Sequence, residues 1–352
     1  MRCVRGAWGA RMGMLTAIVV AIVVAAGAAR AQAVAPAHAN APAAVVDDTI
    51  RCVTPTGTLV GSLMRPRDVR GAMPVVLIHP GSGPTTRDGN SAMLPGRNES
   101  LRQLAESLAV HGIASVRIDK RGVGASAAAL QVPPDSLRFD VFVEDVRAWV
   151  RLLAADARFD RIVLLGHSEG ALVVSLAAAG VPKVAGVVTV AGMGRPLGAV
   201  LREQLGDPQR LPAAMFPAVD SAVTALETGR PLPASLPPVL RQGLFPPSVE
   251  AYLRSVVTRD PVAAVAALRV PVLVVQGTTD VQVSVGDARA LAGARASGVE
   301  LVVVEGVNHV LKRVGGPLAA QLESYGSATP ATDGGVVGAV VGFVGRVGRV
   351  GR

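Results

Sequence analysis

One serine of this chain has the sequence surroundings of an activated nucleophile. Gly166-His167-Ser168-Glu169-Gly170 follows the apolar run 162–165 and opens a second apolar stretch at Ala171. A serine on a tight turn between a strand and a helix has strained dihedral angles and exposes its hydroxyl group, while the flanking glycines let the backbone approach closely. The helix that follows places unpaired N–H groups and a positive dipole end beside the serine. We therefore predict that Ser168 is a nucleophile.

A serine hydroxyl attacks a carbonyl group only when an imidazole takes its proton, and a carboxylate must orient that imidazole. If the order is serine, acid, histidine, the histidine lies downstream, and of the five histidines only His309 does. Asp280 ends Gln276-Gly277-Thr278-Thr279-Asp280 just after an apolar run and is the best candidate acid. The weaker candidates are Asp287, in a predicted helix, and Asp260, which precedes a proline and suits a helix cap.

Acyl transfer also needs two N–H donors for the oxyanion that forms at the carbonyl oxygen. We predict that one donor is the N–H group of Glu169, the residue after the nucleophile. The other should come from the loop Pro80-Gly81-Ser82-Gly83-Pro84, with Ser82 or its neighbour Gly81 as the donor. A phosphate-binding loop is excluded here, because neither Gly-Lys-Ser/Thr nor Gly-x-Gly-x-x-Gly follows the strand.

The elements that must position these residues alternate between strand and helix. Thr49 to Val53 and Thr58 to Met64 flank a Pro-Thr-Gly turn and predict an antiparallel hairpin. Short β-branched runs then predict parallel strands buried on both faces, at residues 75–78, 113–118, 162–165, 184–190, 270–275 and 301–304. Segments with helical spacing separate them, and valines at helical spacing predict a last helix after Gly334. The fold class expected is α/β, a doubly wound, mostly parallel sheet.

Residues 195–260 interrupt this alternation and are rich in proline. We interpret them as an inserted cap of short helices joined by rigid turns, with a disordered linker as the alternative. Residues 1–33 contain arginines, an apolar run and Ala31-Gln32-Ala33, which is typical of a cleaved signal peptide; an uncleaved membrane anchor is the alternative. Residues 34–46 are expected to be a flexible lead-in, and residues 47–194 with 261–352 to form the core.

Composition limits the function further. Two cysteines cannot build a disulfide framework, and after signal cleavage Cys52 alone remains, most simply as a small buried hydrophobic residue. The net charge of +9 falls to about +5 without the N-terminal segment, and aromatic residues make up only 3% of the chain. Both observations argue against nucleic-acid binding. No His/Cys spacing suggests a metal, so we expect neither metal nor organic cofactor, and no membrane insertion after signal cleavage.

In order, the motifs GSGP, IDKRGVGAS, GHSEG, GTTD and VNH resemble the α/β-hydrolase superfamily. The stretch GSGPTTRDGN together with VNHVLK resembles the branch of bacterial secreted esterases close to the serine aminopeptidases. The resemblance implies the α/β-hydrolase fold over residues 48 to 345 and a triad of Ser168, Asp280 and His309. It also implies a structural role for the RGVGAS loop, with Asp119 and Arg121 in ion-pairing or loop-holding roles.

The expected activity is hydrolysis of a carboxylic ester through an acyl-enzyme, by an exported protein acting in the periplasm or outside the cell. Its partner would be a small ester with a hydrophobic part, since the predicted cap is apolar. Two alternatives on the same fold are an aminopeptidase or a thioesterase. An aminopeptidase would display an acidic anchor for the free amine in its cap, where several carboxylates are available: Glu203, Asp207, Asp220, Glu227 and Glu250. A non-catalytic binding protein is the alternative from another class.

Overall fold

The computed structural model describes residues 45–69, 71–131, 133 and 136–348. The expected signal peptide, and most of the expected lead-in, lie outside these residues. Val45 and Val46, the last two residues of that lead-in, already belong to the first strand. Among the described helices, none has the length and apolar character needed to cross a bilayer.

The centre of the protein is an eight-stranded sheet of spatial order β1-β2-β4-β3-β5-β6-β7-β8. Strand β2 runs antiparallel to both of its neighbours, β1 and β4, and every other pairing is parallel. The strands are β1 (Val45–Thr54), β2 (Gly57–Pro66), β3 (Met73–His79), β4 (Ala114–Ile118), β5 (Phe159–His167), β6 (Val184–Val190), β7 (Val272–Gly277) and β8 (Val299–Val304). The predicted hairpin and the predicted mostly parallel sheet are therefore confirmed.

Helices cover both faces of the sheet, which is why the central strands are continuous apolar runs. On one face pack α1 (Ser100–Val110) and the last helix, α11 (Gly334–Arg346), which presents Val336, Val340 and Val344 to the core. On the other face lie α2 (Asp140–Ala154) and α3 (Glu169–Ala178). Trp149 of α2 is among the largest fully buried side chains.

The sequence prediction is wrong for the last strand. We expected residues 301–304 to be buried on both faces, but β8 lies at the edge of the sheet, and Val303 is 41% exposed. Runs of valine at an edge strand have the same composition as central ones, so the sequence pattern does not separate the two cases.

The segment between β6 and β7 contains five short α-helices with proline at or near several of their starts. Proline suits the first helical turn, because its missing N–H group would have no partner there. Their apolar faces are buried with α2 and α3 rather than solvated. The helices are α4 (Leu197–Gly206), α5 (Phe216–Glu227), α6 (Pro238–Gly243), α7 (Pro247–Val256) and α8 (Pro261–Ala266).

The remaining elements are α9 (Val285–Ala292), after β7, and α10 (Leu318–Glu323), after β8. The expected small hydrophobic role of Cys52 fits its position in β1, where the side chain is 4% exposed and packs in the core. Burial raises the pKa of the Cys52 thiol to about 11, so the thiol stays protonated at neutral pH.

Candidate active site

The chain order and the sheet order diverge between β3 and β5. From β3 the chain moves to β4 on one side and then returns to β5 on the other. Loops at the carboxyl ends of such strands separate and leave a crevice in which ligands bind. The loop with Gly81 and Ser82 follows β3, and Ser168 follows β5, so these predicted site residues meet at that crevice.

Ser168 has the strained backbone expected for a nucleophile on a strand-to-helix turn. Its φ is 56° and its ψ is −125°, a region costly for a non-glycine residue. Both flanking glycines are required by close contacts. A Cβ atom at Gly166 would lie 2.1 Å from the Gly170 oxygen, and one at Gly170 would lie 2.6 Å from the His79 oxygen. Backbone strain at Ser168 is thus held by packing around it.

Helix α3 begins directly after Ser168, with Glu169 as its first residue. The first N–H groups of a helix have no partner inside the helix, so the Glu169 N–H is placed as an oxyanion donor would be. The loop after β3 lies against the nucleophile, because a Cβ atom at Gly81 would be 3.1 Å from the Ser168 Cβ atom. Ser82 and Glu169 line one cavity together with Ser168.

His309 and Asp280 form a buried pair at the carboxyl edge of β7 and β8. The Nδ1–H group of His309 donates to Oδ2 of Asp280 at 2.8 Å, and the Asp280 side chain is fully buried. His309 lines a cavity that also contains Ser168. The structure therefore brings the three predicted triad residues to one edge of the sheet.

Asp280 is held as an ionised acceptor by its surroundings. Its Oδ1 atom accepts from the N–H groups of Gln282 at 2.7 Å and Val283 at 3.0 Å, and Oδ2 also accepts from Nε2 of Gln276 at 3.0 Å. Burial acts to raise the pKa of Asp280. The charge interaction and hydrogen bond with His309, together with the two backbone hydrogen bonds, outweigh burial, so the pKa lies below its ordinary value.

The two weaker candidate acids have structural roles. Asp260 caps α8, accepting from the N–H groups of Val262 and Ala263. Asp287 lies in the first turn of α9, where it completes a capping box with Ser284 and pairs with Arg195 at 2.8 Å. Neither carboxylate contacts His309 in the described structure.

The loop after β4 is held together as the family resemblance implied. Asp119 accepts from the N–H groups of Arg87 and Ala125 and pairs with the Arg87 guanidinium at 3.1 Å. Arg121 pairs with Asp145 of α2 at 2.6 Å and donates to backbone oxygens of neighbouring loops. Asp119 and Arg121 thus hold different loops and are not paired with each other.

Sequence reasoning missed a buried charged cluster beside the nucleophile. Lys120 donates to the carbonyl oxygens of Gly81 and of Gly83, the latter at 2.7 Å, and so holds the loop that contains Ser82. Burial lowers the pKa of Lys120 to about 8, against the opposing charge of Glu169. Burial raises the pKa of Glu169, while Lys120 and a hydrogen bond with Tyr252 oppose that rise. Tyr252 belongs to α7, so this cluster joins the nucleophile turn to the helical insertion.

His167 was also missed as a residue with a role of its own. Its Nε2 atom lies 2.8 Å from the backbone oxygen of His309, and the two rings are 4.9 Å apart. A carbonyl oxygen only accepts, so Nε2 carries the proton. Burial, and then the neighbouring His309, lower the pKa of His167 to about 4, so its ring is neutral. The signal available in the sequence was its place beside Ser168.

Within the described ranges, no three His, Cys, Asp or Glu side chains are grouped so that they could hold a metal ion. The main cavity beside Ser168 has a mostly apolar wall from α4, α7 and neighbouring loops. The side chains that form this wall are Met193, Leu197, Val200, Leu201, Val249, Leu253 and Val283.

Comparison with known proteins agrees with this architecture. A family model described as serine aminopeptidase, S33 matches residues 92–229, a stretch that includes Ser168. Esterase EstD from Thermotoga maritima is 28% identical over 258 residues, which are 72% of this chain; the chain spans only 58% of that relative's length.

Solved structures share the fold at low sequence identity. Est1E from Butyrivibrio proteoclasticus has a TM-score of 0.51 and 18% identity, over 84% of this chain and 96% of that one. An esterase from Pyrococcus furiosus has a TM-score of 0.50 and 17% identity, over 75% and 83% of the two chains. The chain therefore shares the fold of these solved structures, and residues 92–229 resemble the serine aminopeptidase family.

Proposed function

We propose that this protein is a serine hydrolase that cleaves carboxylic esters through an acyl-enzyme. The observation that carries the proposal is the convergence, at one crevice, of a serine with strained backbone and a buried His309–Asp280 pair. A serine without a catalytic role would not need this backbone strain, which costs about 1–3 kcal/mol. This argues against a non-catalytic binding protein.

In the proposed mechanism Oγ of Ser168 attacks the ester carbonyl carbon while Nε2 of His309 takes the hydroxyl proton. Asp280 stabilises the imidazolium, and the N–H groups of Glu169 and of the Ser82 loop stabilise the oxyanion. The C–O bond then breaks, and the alcohol leaves with the proton from His309. A water molecule then gives a proton to His309 and attacks the acyl carbon. The bond from that carbon to Oγ breaks, His309 returns the proton to Oγ of Ser168, and the carboxylic acid leaves.

The ion pairs formed by the carboxylates of the helical insertion favour an ester substrate over a peptide substrate with a free amino terminus. An aminopeptidase needs an unpaired acid to bind the substrate ammonium group, but each of the five candidates is paired with arginine, and none lines the main cavity. The pairs are Glu203 with Arg195, Asp207 with Arg210, Asp220 and Glu227 with Arg202, and Glu250 with Arg254. Glu169, the one acid among the described residues that line that cavity, is buried against Lys120 and Tyr252.

A side-by-side panel of acyl esters and amino-acid amides tests the proposal. We expect hydrolysis of short- and medium-chain nitrophenyl esters and at least tenfold lower kcat/KM for the amides. Ser168→Ala should abolish ester hydrolysis. Ser175→Ala is the matched control, since that hydroxyl on the same helix donates only to Ala171. Preference for amides, or full activity in Ser168→Ala, would contradict the proposal.

We also propose that the protein is exported and that its signal peptide is cleaved after Ala33, on the strength of the N-terminal pattern alone. Amino-terminal sequencing of the protein recovered from outside the cytoplasm should begin at Val34. Recovery with residues 1–33 still attached would contradict cleavage.

A further inference from the structure

A second, smaller cavity beside Ser168 shares Ser82, Ser168 and Gln282 with the apolar one. The larger cavity has a volume of about 80 Å³ and the smaller about 50 Å³. At roughly one water per 10–15 Å³, the smaller one has room for about four water-sized groups. The loop after β3, the His309 loop and Tyr325 enclose it.

The position of His309 indicates which part of an ester each cavity receives. His309 must hand its proton to the departing alcohol oxygen, so the alcohol lies on the imidazole side of Ser168. His309 lines the small cavity and is absent from the lining of the large one. The small cavity is thus the alcohol side, and the apolar cavity is left for the acyl chain.

His167 lines the small cavity and has a buried hydrogen-bond acceptor without a partner among the described residues. Nε2 of His167 carries the proton of that neutral ring, as its contact with the His309 oxygen requires, so Nδ1 presents a lone pair. His167 is 7% exposed, and Nδ1 has no hydrogen-bond partner among the described residues. A buried acceptor left unpaired costs about 1–3 kcal/mol, which a ligand donor would offset.

The hydroxyl group of Tyr325 is a second polar group at the same cavity. Tyr325 is 5% exposed, and its ring stacks on that of His309 at 6.5 Å. Its hydroxyl faces the side chain of Gln282 but makes no hydrogen bond of ordinary geometry within the described chain. A hydroxyl group can both donate and accept, so it complements a second hydroxyl group.

The rest of the lining excludes charged occupants. Among the described residues that line the small cavity, the ionisable side chains are the two imidazoles and the Tyr325 phenol. The other polar side chains of that lining are hydroxyl or amide groups. Nothing there would neutralise an ammonium, carboxylate or phosphate group, and burying one without a partner is strongly unfavourable. The occupant must therefore be small, uncharged and able to donate a hydrogen bond.

Resting on the proposed ester hydrolysis, we propose that the preferred substrates are apolar acyl esters of a compact, uncharged polyol. The alcohol part lies in the small cavity, where one hydroxyl group donates to Nδ1 of His167 and another meets the hydroxyl group of Tyr325. The acyl chain lies along the apolar wall formed by α4 and α7.

A matched pair of substrates tests this: 2,3-dihydroxypropyl hexanoate and propyl hexanoate, which release the same acid, followed by pH-stat titration. One net hydrogen bond predicts that kcat/KM favours the dihydroxypropyl ester about tenfold. In Tyr325→Phe, which keeps the aromatic ring, that ratio should fall, while the remaining contact with Nδ1 of His167 keeps it above one. Ser221→Ala is the control, because it removes an exposed hydroxyl group on α5 that bonds only to Pro217.

A second measurement needs no variant. The acyl-enzyme formed from nitrophenyl hexanoate is offered glycerol and propan-1-ol at equal concentration, and transfer to glycerol should predominate. Equal kcat/KM values for the two esters, equal transfer to the two alcohols, or a Tyr325→Phe variant that slows both esters alike would overturn the alcohol assignment while ester hydrolysis stands. If not even nitrophenyl hexanoate is hydrolysed, the proposed function itself fails.

Discussion

Replacing Asp280 by asparagine should trap His309 in the wrong tautomer. The Oδ1 position accepts from two backbone N–H groups, of Gln282 and Val283, and these donors cannot turn away. The amide nitrogen of an asparagine must therefore occupy the Oδ2 position, where it faces Nδ1 of His309 at 2.8 Å. Two donors cannot share that contact, so the His309 proton moves to Nε2. Nε2 then cannot accept a proton from Ser168.

The expected magnitude follows from that loss of the general base. The equivalent change in a serine protease triad lowers kcat about 10⁴-fold, and we expect a 10³- to 10⁴-fold fall here, or about 4–5 kcal/mol of barrier. The assay is kcat/KM for a nitrophenyl ester at neutral pH, with circular dichroism to verify folding. Asp260→Asn is the matched control: asparagine caps a helix as well as aspartate does, so activity should be unchanged. A folded Asp280→Asn protein with less than a tenfold loss would refute this reasoning.

Two further predictions concern packing and pH. Gly170→Ala should give an unstable or insoluble protein, because the new Cβ atom would lie 2.6 Å from the His79 oxygen. Gly338 lies within a helix and has open space around it, so Gly338→Ala should raise the stability measured by thermal unfolding by about 0.5–1 kcal/mol. An intact Gly170→Ala protein would contradict the close approach. Burial lowers the pKa of His79 from 6.5 to about 3, so the unfolded state binds a proton that the folded state does not as the pH falls below 6.5. Stability is therefore lost on going from pH 7 to pH 5, by about 2 kcal/mol for this group. His79→Asn, which keeps a donor for the Pro80 oxygen, should reduce the pH dependence in urea unfolding by that amount; an unchanged dependence would show that His79 is not the source.

Most of the fold could be predicted from the sequence because buried parallel strands and amphipathic helices leave strong patterns. Val75 to Ile78 and the Trp149 face of α2 are examples, since burial on both faces or on one helical stripe dictates their composition. The order of the strands in the sheet leaves no comparable pattern in the sequence. Val303 has the composition of a central-strand residue, yet it lies at the sheet edge and is 41% exposed.

The sequence likewise predicts one part of the candidate site and not the other. The meeting of Ser168, Asp280 and His309 at one edge of the sheet could be predicted, because each of them lies in a loop that follows a strand. The roles of His167, Lys120 and Tyr325 depend on which loops face one another across the crevice, and no local pattern encodes that. One signal was present: the chain has only two tyrosines, and both Tyr252 and Tyr325 line the cavities beside Ser168.

The central claim is that one hydroxyl group, activated by its surroundings, carries the chemistry. Treatment of the folded protein with a fluorophosphonate, followed by proteolysis and mass spectrometry, measures this directly. The account predicts stoichiometric labelling of the peptide that contains Ser168, and labelling slowed at least a hundredfold in Asp280→Asn. Adducts on another serine, or no adduct on a protein that still hydrolyses esters, would contradict it.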